Sequence, residues 1–420
     1  MLALLTIFAG ARVLASEKPL PDLITIGTAV RHAELVGIEP NDALRFRDSK
    51  GQTFSVRVSD LVRWSTPAAP RAPDELLLVD GSRLRLAATW GKDPSFATAF
   101  VRAGAKTHLL GELDLARSDV RAVLWRLPAE DAARQKRIDE LLVAQSKDAK
   151  SDVLLLDNGD ILAGTLSRVG ESGNPFDDEE GEITARFFGG LGEIELPADR
   201  IRGIAFSPAT AVPPGKAHAP KPALLVGLND GSIVAANSMV GGEKSILRSA
   251  ALGDQQIAMK DIVSLQADNE RIVYLSDIDP AGYRHEPYLD LKWPYTRDRN
   301  ALGGPLRVGG RTYLKGLGMH SAARLTFDLD GKYDRFAATI ALDDAADGGG
   351  SVVFRVFLKP NEGGDWREAF ASGGVRGGDA PQEASIDLTG AGQLALIVDY
   401  ADRGDERDYA NWLDARLEHP

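Results

Sequence analysis

Three turns limit what this chain can fold into. Leu76-Leu77-Leu78-Val79-Asp80-Gly81, Leu154-Leu155-Leu156-Asp157-Asn158-Gly159 and Leu224-Leu225-Val226-Gly227-Leu228-Asn229-Asp230-Gly231 each run from apolar residues into Asp-Gly or Asn-Gly. Both residues of such pairs accept positive φ, so an apolar run on each side makes a tight β-hairpin. Each turn is answered by an Asp and a short apolar strand: Gly81 by Asp119, Gly159 by Asp199 and Gly231 by Asp261. Gly27 and Asp60 bound a fourth, more degenerate copy. Spacings of about 30 to 40 residues belong to small repeated β-units. The units are placed at 23–66, 74–127, 152–207 and 222–267. An Asp before a strand most often bonds its own backbone in a turn, and a shared site of the four is the sharper alternative.

The rest of the first 270 residues is punctuation. Pro67 to Pro73 and the Pro-rich stretch 208–222 read as stiff linkers. Residues 128–146 are the one convincing helix, with Ala132, Ile138, Leu141, Leu142 and Ala144 on a partial apolar face. Asp177-Asp178-Glu179-Glu180-Gly181-Glu182 lacks the alternating ligand spacing of a calcium loop and reads as a solvated hairpin tip. At the N-terminus an apolar run and Val13-Leu14-Ala15 before Ser16 match a signal peptide over 1–15, although no Lys or Arg precedes the run. An exported protein is expected, and no stretch approaches the roughly 18 apolar residues of a membrane span.

Beyond Arg271 the texture becomes strict alternation with Gly-rich loops. Leu325, Phe327 and Leu329 face one way, as do Val352, Phe354 and Val356, then Leu394, Leu396 and Val398, and last Leu413, Ala415 and Leu417. Many short alternating strands predict an antiparallel sandwich, and about 150 residues suit one jelly-roll domain over 271–420. A net charge of -12 without a basic block excludes nucleic acid bound through its phosphates, and the absence of Cys excludes disulfides and thiolate chemistry.

Within this domain Tyr274-Leu275-Ser276-Asp277, Arg297-Asp298, Gly303-Gly304-Pro305-Leu306, Tyr313 to His320, Tyr333-Asp334-Arg335-Phe336, Asp343-Asp344, Gly350 to Phe354 and Asp408 to Leu417 occur in order. In this order the domain resembles the NPCBM family, the glycosyl hydrolase family 98 type of carbohydrate-binding module. The resemblance implies a galactose-binding-like β-sandwich, galactosides as ligands of some members, and calcium as a structural ion. The family usually carries Asp-His-Ala-Asp-Trp where this chain has Asp408-Tyr409-Ala410-Asn411-Trp412, and the loop 358–373 is longer than usual.

Saccharide sites combine an aromatic face for C–H groups with planar polar groups for hydroxyl pairs. His320, Tyr409, Asn411, Trp412, Arg297 and Asp298 are the candidate ligand residues, and Asp343 and Asp344 the candidate calcium ligands. Each has a structural alternative: core for Trp412, a backbone hydrogen bond for His320, a turn for the Asp pair. Gly316 and Gly318 read as backbone devices. The expected function is non-catalytic binding of a glycan or polysaccharide, with the N-terminal units as scaffold or as a docking platform for another protein. A structural adaptor and a glycoside hydrolase with two distant carboxylates are the alternatives. No nucleophile elbow, phosphate loop or zinc helix supports an enzyme.

Overall fold

The computed structural model describes residues 19–419 apart from 41, 71–72, 88–95, 100, 172–182, 191, 209–222, 242–244, 289 and 403. The expected signal segment 1–15, the acidic run 177–182 and nearly all of the linker 208–222 lie outside the described residues.

The chain is all-β, with one α-helix among the described residues. In each N-terminal unit the first strand returns to pair with the last. Leu23 pairs with Trp64, Leu76 with Val123, Leu154 with Ile204, and Val226 with Leu265. Each unit is therefore a small barrel-like sheet in which the first strand lies between the second and the last. The first hairpin of every unit turns on a glycine in the left-handed region: Gly27 at φ 77°, Gly81 at 95°, Gly159 at 90° and Gly231 at 87°. Before each closing strand the chain makes one 3-10 turn, Val58–Asp60, Arg117–Asp119, Ala198–Arg200 or Met259–Asp261. The carbonyls of Asp60, Asp119 and Asp261 accept the amides of Ile26, Val79 and Asn229, each at 2.9 Å. These aspartates clip the turn of their own barrel and do not gather at one site.

The barrels join through their closing strands. Val123 pairs with Ile204 between the second and third units, and Trp64 with Leu265 between the first and fourth. A polar link follows the first of these seams. Arg117 donates to Asp152 at 2.6 Å across the seam of the second and third units; within the second unit, buried Glu75 holds Arg83 at 2.7 Å and Arg85 at 3.3 Å. Burial opposes ionisation of Glu75, but the arginines prevail and hold its carboxyl near about 2. The helix Asp131–Lys147 lays Ile138 and Leu141 on Leu77, Leu124 and Val153 at the seam of the second and third units.

The C-terminal domain is a two-sheet antiparallel sandwich. One sheet runs in the order Thr296–Arg297, Gly316–Met319, Ala410–Glu418, Arg335–Leu342, Gln382–Asp387, with Ile272–Tyr274 also paired to Ala410–Glu418. The other runs Gly282–His285, Ala323–Asp328, Ala391–Tyr400, Ser351–Pro360, Arg367–Arg376. Between them pack Leu325, Phe327, Phe336, Phe354, Leu396 and Trp412. The outer face of the first sheet is also covered, by Leu306, Val308 and Tyr313 against Ala341 and Leu413. Ala410–Glu418 is consequently buried along its whole length.

This strand carries the junction between the halves. Two of its residues oppose one across the pairing between Ala337 and Thr339, and at this bulge Asp414 takes φ 48°. The bulge aims the Asp414 carboxylate out of the sandwich at Arg63, which donates from Nε at 2.7 Å and lies 5.0 Å from the centre of the Tyr313 ring. Gln266 donates to the other carboxylate oxygen at 3.3 Å and to the Tyr274 hydroxyl at 2.6 Å. Ile24, Val62, Ile272 and Tyr274 pack beside the pair. At the periphery the helix carboxylates Asp131 and Asp139 meet Arg307 and Arg299.

Removing one partner of a buried ion pair leaves the other charged and desolvated. Arg63→Leu should lower unfolding stability by about 3–5 kcal/mol in denaturant titrations. The double change Arg63→Leu with Asp414→Asn, which keeps a residue tolerant of positive φ, should regain most of that loss. A single-variant loss below about 1 kcal/mol would show that the pair does not hold the halves together.

Candidate functional site

The strands of both sheets bring one set of loops to the same end of the sandwich. His285 ends Gly282–His285, His320 and Ser321 follow Gly316–Met319, Tyr400 ends Ala391–Tyr400, and Asp408 and Tyr409 precede Ala410–Glu418. Gly316 and Gly318 make this approach possible. A Cβ on Gly318 would lie 2.4 Å from the Arg299 carbonyl oxygen and the Thr296 hydroxyl, and one on Gly316 would lie 2.6 Å from the Trp412 carbonyl oxygen. They are the backbone devices expected of them.

At this end Trp293 stacks flat on His320, with ring centres 4.4 Å apart and planes 4° from parallel. Tyr409 meets both rings at 5.9 Å, and His285 meets His320 edge-on at 6.1 Å. Tyr288 and Tyr400 stand outside this cluster as an exposed edge-to-face pair, 6.1 Å between centres. The His320 Nδ1 faces the Ser321 carbonyl at 3.3 Å. A carbonyl only accepts, so Nδ1 bears the proton and Nε2 is left as the acceptor of the neutral ring. Burial holds the His320 pKa below the usual histidine range, which favours that neutral ring.

The predicted residues divide. His320 and Tyr409 come together, whereas Asn411 and Trp412 do not join them. Trp412 is fully buried, 5.0 Å from Phe354 and 6.1 Å from Phe336, so it is core and not a sugar platform. Asn411 is equally buried and donates to Asp343 at 2.7 Å. Arg297 and Asp298 do not pair with each other. Arg297 pairs with Asp279 at 2.7 Å, and Asp298 accepts from the Gly316 amide at 3.1 Å and from Lys315 at 3.2 Å.

The two candidate calcium ligands are occupied by donors. Asp343 accepts from Asn300 at 2.9 Å, Ala345 at 3.0 Å, Arg307 at 2.9 Å and Asn411 at 2.7 Å. Asp344 accepts the amides of Gly309 and Gly310 at 2.7 and 2.8 Å. N–H groups turned towards a carboxylate repel a cation placed there, so this pair does not fit calcium. Among the described residues no group of three or more His, Cys, Asp or Glu side chains is disposed to hold a metal. The sequence reading also passed over Trp293 and His285. The signal available was aromatic density, with Tyr288, Trp293 and Tyr295 inside eight residues.

Asp408, fully buried beside the cluster, accepts the Ser351 amide at 2.8 Å. Burial raises its pKa to about 6, against the pull of the Ser321 hydroxyl and the Ser351 amide. A carboxyl raised on folding binds more protons in the folded state, so its contribution weakens stability as pH rises from the unfolded value through about 6. Asp408→Asn keeps the acceptor and should remove this component, giving a flatter stability–pH curve in thermal melts across that window. An unchanged curve would show that Asp408 does not titrate there.

The NPCBM/NEW2 domain family matches residues 271–418. A Renibacterium salmoninarum protein named for endo-alpha-N-acetylgalactosaminidase activity is 32% identical over 115 residues, 27% of this chain and 7% of that protein. Alpha-1,3-galactosidase B of Akkermansia muciniphila is 32% identical over 121 residues, 28% of this chain and 14% of that enzyme. This chain thus spans only a small part of either relative. A solved CBM51 from Clostridium perfringens GH95, in complex with methyl-galactose, aligns with 22% identity and TM-score 0.30, covering 35% of this chain and 99% of that one. The C-terminal sandwich, residues 271–418, belongs to the NPCBM/NEW2 family of carbohydrate-binding modules.

Proposed function

We propose that the loop end of the C-terminal sandwich binds a saccharide without transforming it. The Trp293–His320–Tyr409 cluster carries this reading, because buried His320 backs the half-buried rings of Trp293 and Tyr409 and makes them a rigid aromatic face. The exposed rings of Tyr288 and Tyr400 extend the apolar face that the C–H side of a pyranose would meet. Membership of residues 271–418 in a carbohydrate-binding family supports the same reading, and the galactosidase names of the two relatives make α-galactosides and N-acetylgalactosaminides the first probes. The protein would act where such glycans occur, outside the cell membrane. The N-terminal barrels serve as a rigid platform that fixes how the sandwich is presented.

Titration calorimetry of the full chain against these saccharides tests the proposal. Tyr288→Ala removes an exposed ring with little effect on the fold, and should weaken binding by about tenfold. Trp293→Ala should weaken it further. The reading fails if a broad glycan array shows no binding, or if binding is indifferent to both changes.

A further inference from the structure

His285 makes two hydrogen bonds that together determine its proton. Its Nε2 lies 3.0 Å from the Ser321 carbonyl, an acceptor only, so Nε2 carries hydrogen. Its Nδ1 accepts the backbone amide of Trp293 at 3.3 Å, so Nδ1 carries a lone pair. One neutral tautomer satisfies both. The same ring touches His320 edge-on, and the Ser321 carbonyl that it holds is also the partner of His320. His285 therefore ties the loop carrying Trp293 to the segment carrying His320, from the end of a strand in the opposite sheet.

We propose that His285 is a positioning residue of the saccharide site: as the Nε2–H tautomer it holds Trp293 flat on His320. The pairing also explains how a loop rich in exposed residues, Glu286, Tyr288, Asp290 and Leu291 among them, keeps one ring fixed.

The functional half of this inference rests on the saccharide reading, and the test separates the two. Asn at 285 places an acceptor near the position of Nδ1, whereas Gln places its amide near Nε2 and offers Trp293 nothing. In the full chain His285→Gln should weaken binding of methyl-galactose by about twofold to tenfold at neutral pH, and His285→Asn should restore it to within about threefold.

Nitrogen NMR of the imidazoles, without ligand, should show the His285 hydrogen on Nε2 and not on Nδ1. Hydrogen exchange of that amide should accelerate in His285→Gln and stay slow in His285→Asn. A protonated Nδ1 at neutral pH, or a Trp293 amide indifferent to both variants, overturns the positioning role. If the wild type ignores methyl-galactose while the NMR and exchange results hold, the choice of saccharide fails and the positioning role stands.

Discussion

The Arg63–Asp414 pair is the contact on which the relation of the two halves depends. Both charges are almost wholly withdrawn from water, a placement tolerable only when each is met by a specific partner. Asp414 reaches Arg63 because a bulge sets it at positive φ in the middle of an otherwise regular strand. The backbone distortion, the Tyr313 ring over the guanidinium and the Gln266 bridge form one unit. Apolar residues beside it supply burial, while the ion pair supplies register, since a sandwich shifted by one residue would leave both charges stranded. The helix carboxylates that reach Arg299 and Arg307 add a second, more exposed seam.

The candidate site is built on the opposite principle, with charge held away. Two hydrogen bonds fix which nitrogen of His285 bears hydrogen, and burial favours the neutral form of His320. Aromatic rings at 4.4 to 6.1 Å make up most of the cluster. A neutral aromatic surface suits a neutral, hydroxyl-rich ligand better than an ionic one, because water competes least where no charge needs hydrating. The groove of about 350 Å³ lined by Ala97, Arg102, Arg168 and Val169 lies in the N-terminal array and has no comparable set of convergent groups.

Much of the fold could be read from local chemistry. Asp80-Gly81, Asn158-Gly159 and Asp230-Gly231 announce hairpins because the requirement for positive φ is local. Alternation announces the sandwich strands for the same reason. The closing-strand pairs that join the barrels were not legible, since Leu61–Trp64 and Ile201–Ala205 carry no local mark of what lies alongside. Asn411 and Trp412 qualified as site residues by type alone; Trp412 takes its core alternative between the sheets, and Asn411 is buried too. A hairpin distant in sequence, Leu306–Val308 with Arg311–Tyr313, covers the outer face of their strand. His320 and Tyr409 stood out by motif. Trp293 and His285 did not, because their roles exist only once the loop after His285 folds back onto Ser321.

Hydrogen exchange along the full chain, with and without a galactose-containing glycan, addresses the saccharide reading most directly. Binding at the loop end should slow exchange in 285–295, 320–322 and 400–409 and leave the N-terminal barrels unchanged. Protection confined to the barrels, or to the outer faces of the sandwich sheets, would contradict a saccharide site at that end.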